Sequence, residues 1–542
     1  MSAGREGENT TLILYEVLEA PARFTLDLTP LLADRDIHTL TFANPDLNPH
    51  VEPTGADTWR GNCYGLTDWF ALIPGATFTS DAQWYRNLDY PRERERGLSC
   101  QEDLFSPGRF SVELEAGQRC GIILSTASPT GRDAFVLFEK EEQRRRRLLP
   151  RPAADSVAAQ FERALTLAAD QFVVRRGRQR RTILAGYPWF GDWGRDALIS
   201  LPGLLLYTSR AAEARLVLET FITSRRDGLL PNSFPDHPGG PIAYNAADPA
   251  LWLFVALHHY ARLAPEPEPF LRKQLPVLAE ILAAYAKGTH FHIHADPADN
   301  LISAGETGVQ LTWMDAKLGD WVVTARYGKV VEINALWYNA QLIYADLLRR
   351  LGADTKEASY WAAQAEITRA SFISTFWNED RQCLYDYVEG RFRSASIRPN
   401  QLLALSLPHP VIGGPKAKAI LKVVEEKLLT PRGLRTLAPG HPDYKPTCQG
   451  DQYQRDSAYH QGTVWAWLLG PFCDALIRTR GEAGRKRARQ LLLGMLPHIQ
   501  QEAGVGSVSE IFDADAPHRA RGCPAQAWSV GEMLRVWKQY QL

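Results

Sequence analysis

Apolar and polar positions keep one period in the first quarter of the chain and another in the rest. Up to about residue 140 they alternate as strands do, in TLILYEVLEA, FTLDL, HTLTFA, WFALI, RFSVELEAG, CGIILST and DAFVLFEK, with Pro, Gly, Asn and Asp clusters between. This predicts an antiparallel β-sandwich domain over residues 1–150. The run EKEEQRRRRLL (139–149) followed by PRPAAD reads as a solvated helix and a linker. From Asp155 onward the apolar spacing becomes three or four. It predicts twelve helices over 151–542, at about 156–174, 196–207, 211–225, 248–263, 268–288, 331–350, 355–376, 399–406, 414–428, 460–479, 483–501 and 527–541. Val157, Phe161, Leu165, Ala168 and Phe172 make the stripe of the first helix, with Asp155 or Ser156 as its cap. Twelve helices without an internal repeat favour six hairpins closed into a double ring over a solenoid. The expected fold class is therefore an all-α (α/α)6 toroid preceded by a β-sandwich.

The six long connections, 174–196, 225–248, 288–331, 376–399, 428–460 and 501–527, each follow an odd-numbered helix. In an antiparallel ring such connections open at one mouth, where a rigid scaffold concentrates binding and catalysis.

Charge removes several functions. Lys plus Arg (61) nearly cancels Asp plus Glu (62), so no field of one sign is present to hold nucleic acid or a membrane surface. No apolar stretch reaches eighteen residues, and the first twenty residues fit neither a secretory signal nor a transit peptide. Seven cysteines, none in a CxxC pair, predict reduced thiols in the cytoplasm. His258, His259, His290, His292 and His294 lack the company and spacing of a metal site, and no GxxxxGK[ST] or strand-linked GxGxxG occurs, so neither a metal nor a cofactor is expected. Fifteen Trp and 19 Tyr in a neutral chain suit a sugar, whose apolar face packs on aromatic rings while carboxylates and amides take its hydroxyls.

Three long connections hold most of the candidate chemistry. GYPWFGDWGRDALIS brings Trp189, Asp192, Trp193, Arg195 and Asp196 to the start of a helix, where Asp196 could instead act as a cap neutralised by Arg195. ETGVQLTWMDAKLGDW places Asp315 among Trp313, Met314 and Lys317. An apolar surround raises a carboxyl pKa as a general acid requires, although an ion pair with Lys317 or Arg326 would also account for Asp315. GVGSVSEIFDADAPHRARGCPAQAW sets Glu510 in a small, flexible run, as a base or as a surface carboxylate. Asp315 and Glu510 belong to the third and sixth hairpins, opposite one another in a six-fold ring. That is the arrangement of an inverting glycosidase, with carboxyls roughly 6.5–9.5 Å apart. His460, Trp465, Asn334, Asn400 and Gln401 are further candidates for sugar contacts, each with a capping or core role as its alternative.

PWFGDWGRDALISLPGLLL, TWMDAK and GSVSEIFDADAPHRARGCPAQAWSV resemble the amylo-α-1,6-glucosidase (glycogen debranching enzyme) family over most of residues 155–542, and YPRERERGLSCQEDLFSPGRFSVEL (90–114) resembles its amino-terminal β-domain. The resemblance implies hydrolysis of the α-1,6-linked glucose left at a branch stub, with an aspartate acid matching Asp315 and a glutamate base matching Glu510. It places Arg195 and Asp196 in the motif that holds the released glucose. The glucanotransferase barrel of the two-activity enzymes has no counterpart here, so transfer of branches is not expected. The expected partner is an α-glucan or branched oligosaccharide. A sugar epimerase using histidine proton shuttles and a non-catalytic glucan-binding scaffold are the alternatives.

Overall fold

A computed structural model describes residues 9–149, 156–177, 179–236 and 239–542. The chain forms two compact units, Met1–Pro150 and Arg151–Leu542. The linker PRPAAD, with Asp155, lies outside the described residues.

The first unit holds two antiparallel sheets. Thr10–Glu16, Arg119–Ser125, Trp69–Leu72, Thr58–Gly61 and Val51–Gly55 pair in that order, and Phe24–Leu28, Gln101–Leu114 and Thr77–Asp89 form the second sheet. Their inward residues meet in one core, Trp59, Ala71, Cys120 and Ile122 from the first sheet against Phe110, Val112 and Leu114 from the second. Two expected strands are absent. HTLTFA forms none, and DAFVLFEK opens the helix Ala134–Leu148, capped by Asp133, whose side chain accepts from the Val136 N–H at 2.9 Å. Its packed residues, Ala134, Leu137 and Phe138, follow helical spacing that the apparent alternation conceals.

Twelve helices frame the second unit: α1 Val157–Gln171, α2 Gly194–Leu201, α3 Ala211–Thr223, α4 Pro249–Leu263, α5 Glu268–Lys287, α6 Val331–Arg350, α7 Thr355–Phe376, α8 Leu403–Ser406, α9 Gly414–Lys427, α10 Leu469–Arg480, α11 Glu482–Leu493 and α12 Ala527–Gln539. The even-numbered helices touch one another in a closed cycle from α2 round to α12, and the odd ones pack outside them. Amphipathic stripes drive this arrangement. Phe161 and Leu165 of α1, Phe221 of α3 and Phe372 of α7 are fully buried, and burying one such side chain contributes about 1.5–3 kcal/mol. The cycle closes where the wide turn after α2 meets α12: a Cβ on Gly203 would lie 1.8 Å from the Gly531 carbonyl oxygen, so only glycine permits this approach.

The all-α description is overturned. Helix makes up 41% and strand 21% of the described residues, and the second unit itself carries two five-stranded antiparallel sheets. One runs His294–Ala295, Ile302–Ala304, Gly328–Val330, Tyr387–Glu389, Phe392–Arg393, and the other runs Leu429–Thr430, Gly433–Arg435, Val464–Trp465, Ile511–Phe512, Ala520–Arg521. Long connections must pair their backbone groups somewhere, and strands of two or three residues do so while being too short to show a period. The helix expected over 460–479 starts at Leu469 because Val464–Trp465 is drawn into one of these sheets. The helix expected over 483–501 is broken after Leu493 and resumes as Leu496–Gln501, and a polar helix, Gln452–Tyr459, is additional. Its sign in the sequence is the capping box of Asp451 and Gln454. No helix among the described residues is long and apolar enough to cross a membrane.

Candidate active site

The connections entering the inner helices bring their side chains together at one mouth. Arg195, in the first turn of α2, donates through Nε and Nη2 to both oxygens of Asp248 (2.5 and 2.9 Å), the N-cap residue of α4. Its Nη1 donates to Asp315 Oδ2 at 3.1 Å, on the connection into α6. Three helix entries are thereby tied through one guanidinium. Asp315 keeps 24% of its side-chain surface, while Arg195 and Asp248 keep 3% each, so the free edge of the cluster is the Asp315 carboxyl.

Trp313 ties in the remaining entries. Its Nε1–H donates to Asn400 Oδ1 at 2.8 Å, just before α8, and its ring meets Trp465 and Trp467 before α10 and Trp528 in α12 edge to face at 5.3–6.3 Å. Behind this floor Asn400 donates to Asp386, which with Glu332 clamps the buried Arg326 guanidinium from two sides at 2.5–2.8 Å. Removing one partner from such a buried ionic cluster costs about 3–5 kcal/mol, so the loop carrying Asp315 is rigidly supported.

Glu510 is 2% exposed. Tyr459 donates its hydroxyl to Oε1, and the Cys523 N–H donates to Oε2 at 3.0 Å. Gly522 has φ +64, and a Cβ there would come within 2.1 Å of Oε2, so the carboxylate rests against a position only glycine fills.

Asp196 lies within electrostatic reach of Arg195, Asp315 and Glu510. Burial pushes its carboxyl up to about 8, with Arg195 opposing and the two other carboxylates adding to the rise. Burial also raises Asp315, with Arg195 opposing. Both acids are therefore biased toward the protonated form although each neighbours a guanidinium.

Of the residues expected from sequence, Arg195, Asp196, Trp313, Asp315, His460, Trp465 and Glu510 join this cluster. Asp196 is not the cap of α2. Trp193 holds that position, and Arg195 pairs with Asp248 and Asp315 instead. Asp315 pairs with neither Lys317 nor Arg326, and Glu510 is no surface carboxylate. Trp189 and Trp193 are half-buried on the loop before α2, where Asp192 is held by Arg176 at 2.7 Å. Lys317 is exposed on the hairpin Lys317–Leu318/Trp321–Val322. Asn334 spends its amide on the backbone of Ile302 and Val330, and Gln401 accepts from the Leu384 N–H and donates to the Arg398 carbonyl, so the backbone occupies both groups of each amide. His460 is fully buried and stacked on Trp465 at 5.2 Å, with neither ring nitrogen bonded among the described residues. Burial and three nearby arginines keep it neutral.

Asp248, Tyr459, Cys523 and the Arg326 cluster were not expected from sequence. Asp248 had a usable sign, an Asp-Pro at a helix start. Tyr459 had only its place beside His460.

The sequence profile of the amylo-alpha-1,6-glucosidase family matches residues 167–535, and that of the glycogen debranching enzyme N terminal matches residues 3–120. A glycogen debranching enzyme of Saccharomyces cerevisiae is 25% identical over 498 residues, covering 70% of this chain and 32% of that protein. The chain thus spans about a third of the length of this curated relative. An uncharacterized conserved protein of Thermus thermophilus has a similar structure, with TM-score 0.52 and 16% identity over 69% of this chain and 99% of the other. A GH63 mannosylglycerate hydrolase of the same organism, solved in complex with glucose, gives TM-score 0.52 and 14% identity over the same shares. At these identities the likeness to the solved structures concerns the fold.

Proposed function

The chain belongs to the amylo-alpha-1,6-glucosidase family, a family of glycoside hydrolases, and on that premise we propose that it releases the single α-1,6-linked glucose left at branch stubs of glycogen or limit dextrins, with inversion. The observation that carries this reading is two differently held carboxyls that both act on Asp196: Asp315, raised by desolvation at the open edge of the Arg195 cluster, and Glu510, whose two oxygens accept from Tyr459 and Cys523.

Asp315 donates its proton to the glycosidic oxygen as the bond to the anomeric carbon breaks. Arg195, 3.1 Å away, stabilises the carboxylate left behind. Glu510 takes a proton from water, whose oxygen attacks the anomeric carbon from the opposite face, and the product is β-glucose. Asp196, kept protonated to about pH 8, donates a hydrogen bond to a hydroxyl of the bound glucose. Trp313 forms an apolar floor, and Trp189 and Trp193 flank the entry. We assign the chain to the cytoplasm, where such dextrins would be its substrates. The test is free glucose from a branched limit dextrin incubated with the protein. Release of maltose or maltotriose, or of no sugar, would refute the one-sugar pocket. The epimerase alternative would need histidine proton shuttles, and His460, packed flat on Trp465, is poorly placed for that role.

A further inference from the structure

Beside the mouth, two exposed aromatic rings lie face to face. Trp321, on the hairpin that follows Asp315, and Tyr453, on the helix Gln452–Tyr459, have centroids 5.6 Å apart and planes within 29°. Trp321 is 42% and Tyr453 59% exposed, so the stack buries little and adds little to folding. Their neighbours Lys317, Asp320, Gln452 and Gln454 are exposed and polar. Two flat rings within a polar rim match the amphipathic faces of pyranoses better than the broad apolar patch of a protein interface.

Each ring stands on a segment that ends at a carboxyl of the mouth. The hairpin springs from Asp315 and is closed by the Val323 N–H donating to the Ala316 carbonyl at 3.0 Å. The helix ends at Tyr459, which donates to Glu510, and Tyr453 lies six positions before it, about 9 Å of rise. A short run of sugar rings spans that distance. The helix also packs on the Lys317–Leu318 strand, so the two segments form one wall.

We infer that Trp321 and Tyr453 are a platform for the α-1,4-linked glucan chain that carries the branch, outside the pocket that takes the stub glucose. This rests on the reading that the mouth cleaves a glucan. The probe is linear maltoheptaose, titrated calorimetrically into the intact protein and into W321A, Y453A and W321F. The expected result is binding that is about tenfold weaker in W321A, weaker by a smaller factor in Y453A and largely restored in W321F, with melting temperatures unchanged because both rings are exposed. Failure of the wild-type protein to bind maltoheptaose, or binding by W321A as tight as the wild type, would overturn the platform. Glucose release from branched dextrin by the wild-type protein is scored separately. Its absence would refute the hydrolase reading, while the Trp321-dependent titration still decides the platform.

Discussion

Arg195 shares one guanidinium between Asp248 and Asp315: Nε and Nη2 grip Asp248 bidentately, leaving Nη1 for Asp315 at 3.1 Å. Asp248 thereby tempers how strongly Arg195 draws the proton from Asp315. D248N leaves Arg195 facing Asp315 with its other partner neutral, which lowers the Asp315 pKa. A general acid with a lower pKa loses its proton sooner, so the alkaline limb of the kcat/KM profile should move to lower pH. Melting temperature should also fall, since removing one partner of a buried pair costs about 3–5 kcal/mol. An unmoved alkaline limb would dissociate Asp248 from the acid.

D315N and E510Q should each lower kcat on a branch-stub dextrin by about 10² to 10⁴-fold with the fold retained, because each removes proton transfer and little else. Circular dichroism checks the fold and single-turnover rates check the chemistry. Near-normal turnover in either variant would remove that residue from the mechanism.

The first sugar released should be β-glucose. Proton NMR of the anomeric signals in the first minutes distinguishes it from the α-anomer before mutarotation mixes them. An initial α-anomer would require a glycosyl-enzyme intermediate and would take the base role from Glu510.

Asp196 couples the pocket to pH. The unfolded side chain loses its proton near 3.8, whereas the folded one keeps it to about 8, so the folded form binds more protons across that window. Its contribution to stability is present at acid pH and is lost as pH rises from about 4 to about 8. D196N has no proton to lose there, so its melting temperature relative to the wild type should climb through the window. A constant difference at every pH would show that Asp196 titrates normally. Activity should suffer in D196A, by roughly one to two powers of ten in kcat/KM for each hydrogen bond to glucose that is lost.

The long amphipathic helices were legible in the chain: α6 and α7 occupy the expected ranges because their stripes persist over five turns or more. The short sheets were not, since two paired residues carry no period. Asp315 and Glu510 could be singled out by local composition, a carboxyl among Trp and Met and a carboxyl in a small-residue run. Their partners could not. Arg195 is 120 residues from Asp315 and Tyr459 is 51 from Glu510, and neither spacing leaves a mark in either segment. Asn334 and Gln401 illustrate the reverse case. Amides suited to sugar hydroxyls serve strand and helix backbones instead, and composition does not distinguish the two uses.

The Gly203–Gly531 contact has a consequence for biosynthesis. It joins the second helix of the ring to the twelfth, so the circle has no closed form until the ribosome has released the chain through Gln539. Until then α2 and α10 present bare apolar flanks, and Glu510 has emerged without the helix that follows it. A nascent chain stalled before this point would be both inert and adhesive, and chaperones that shield apolar surface should dwell on it until α12 docks.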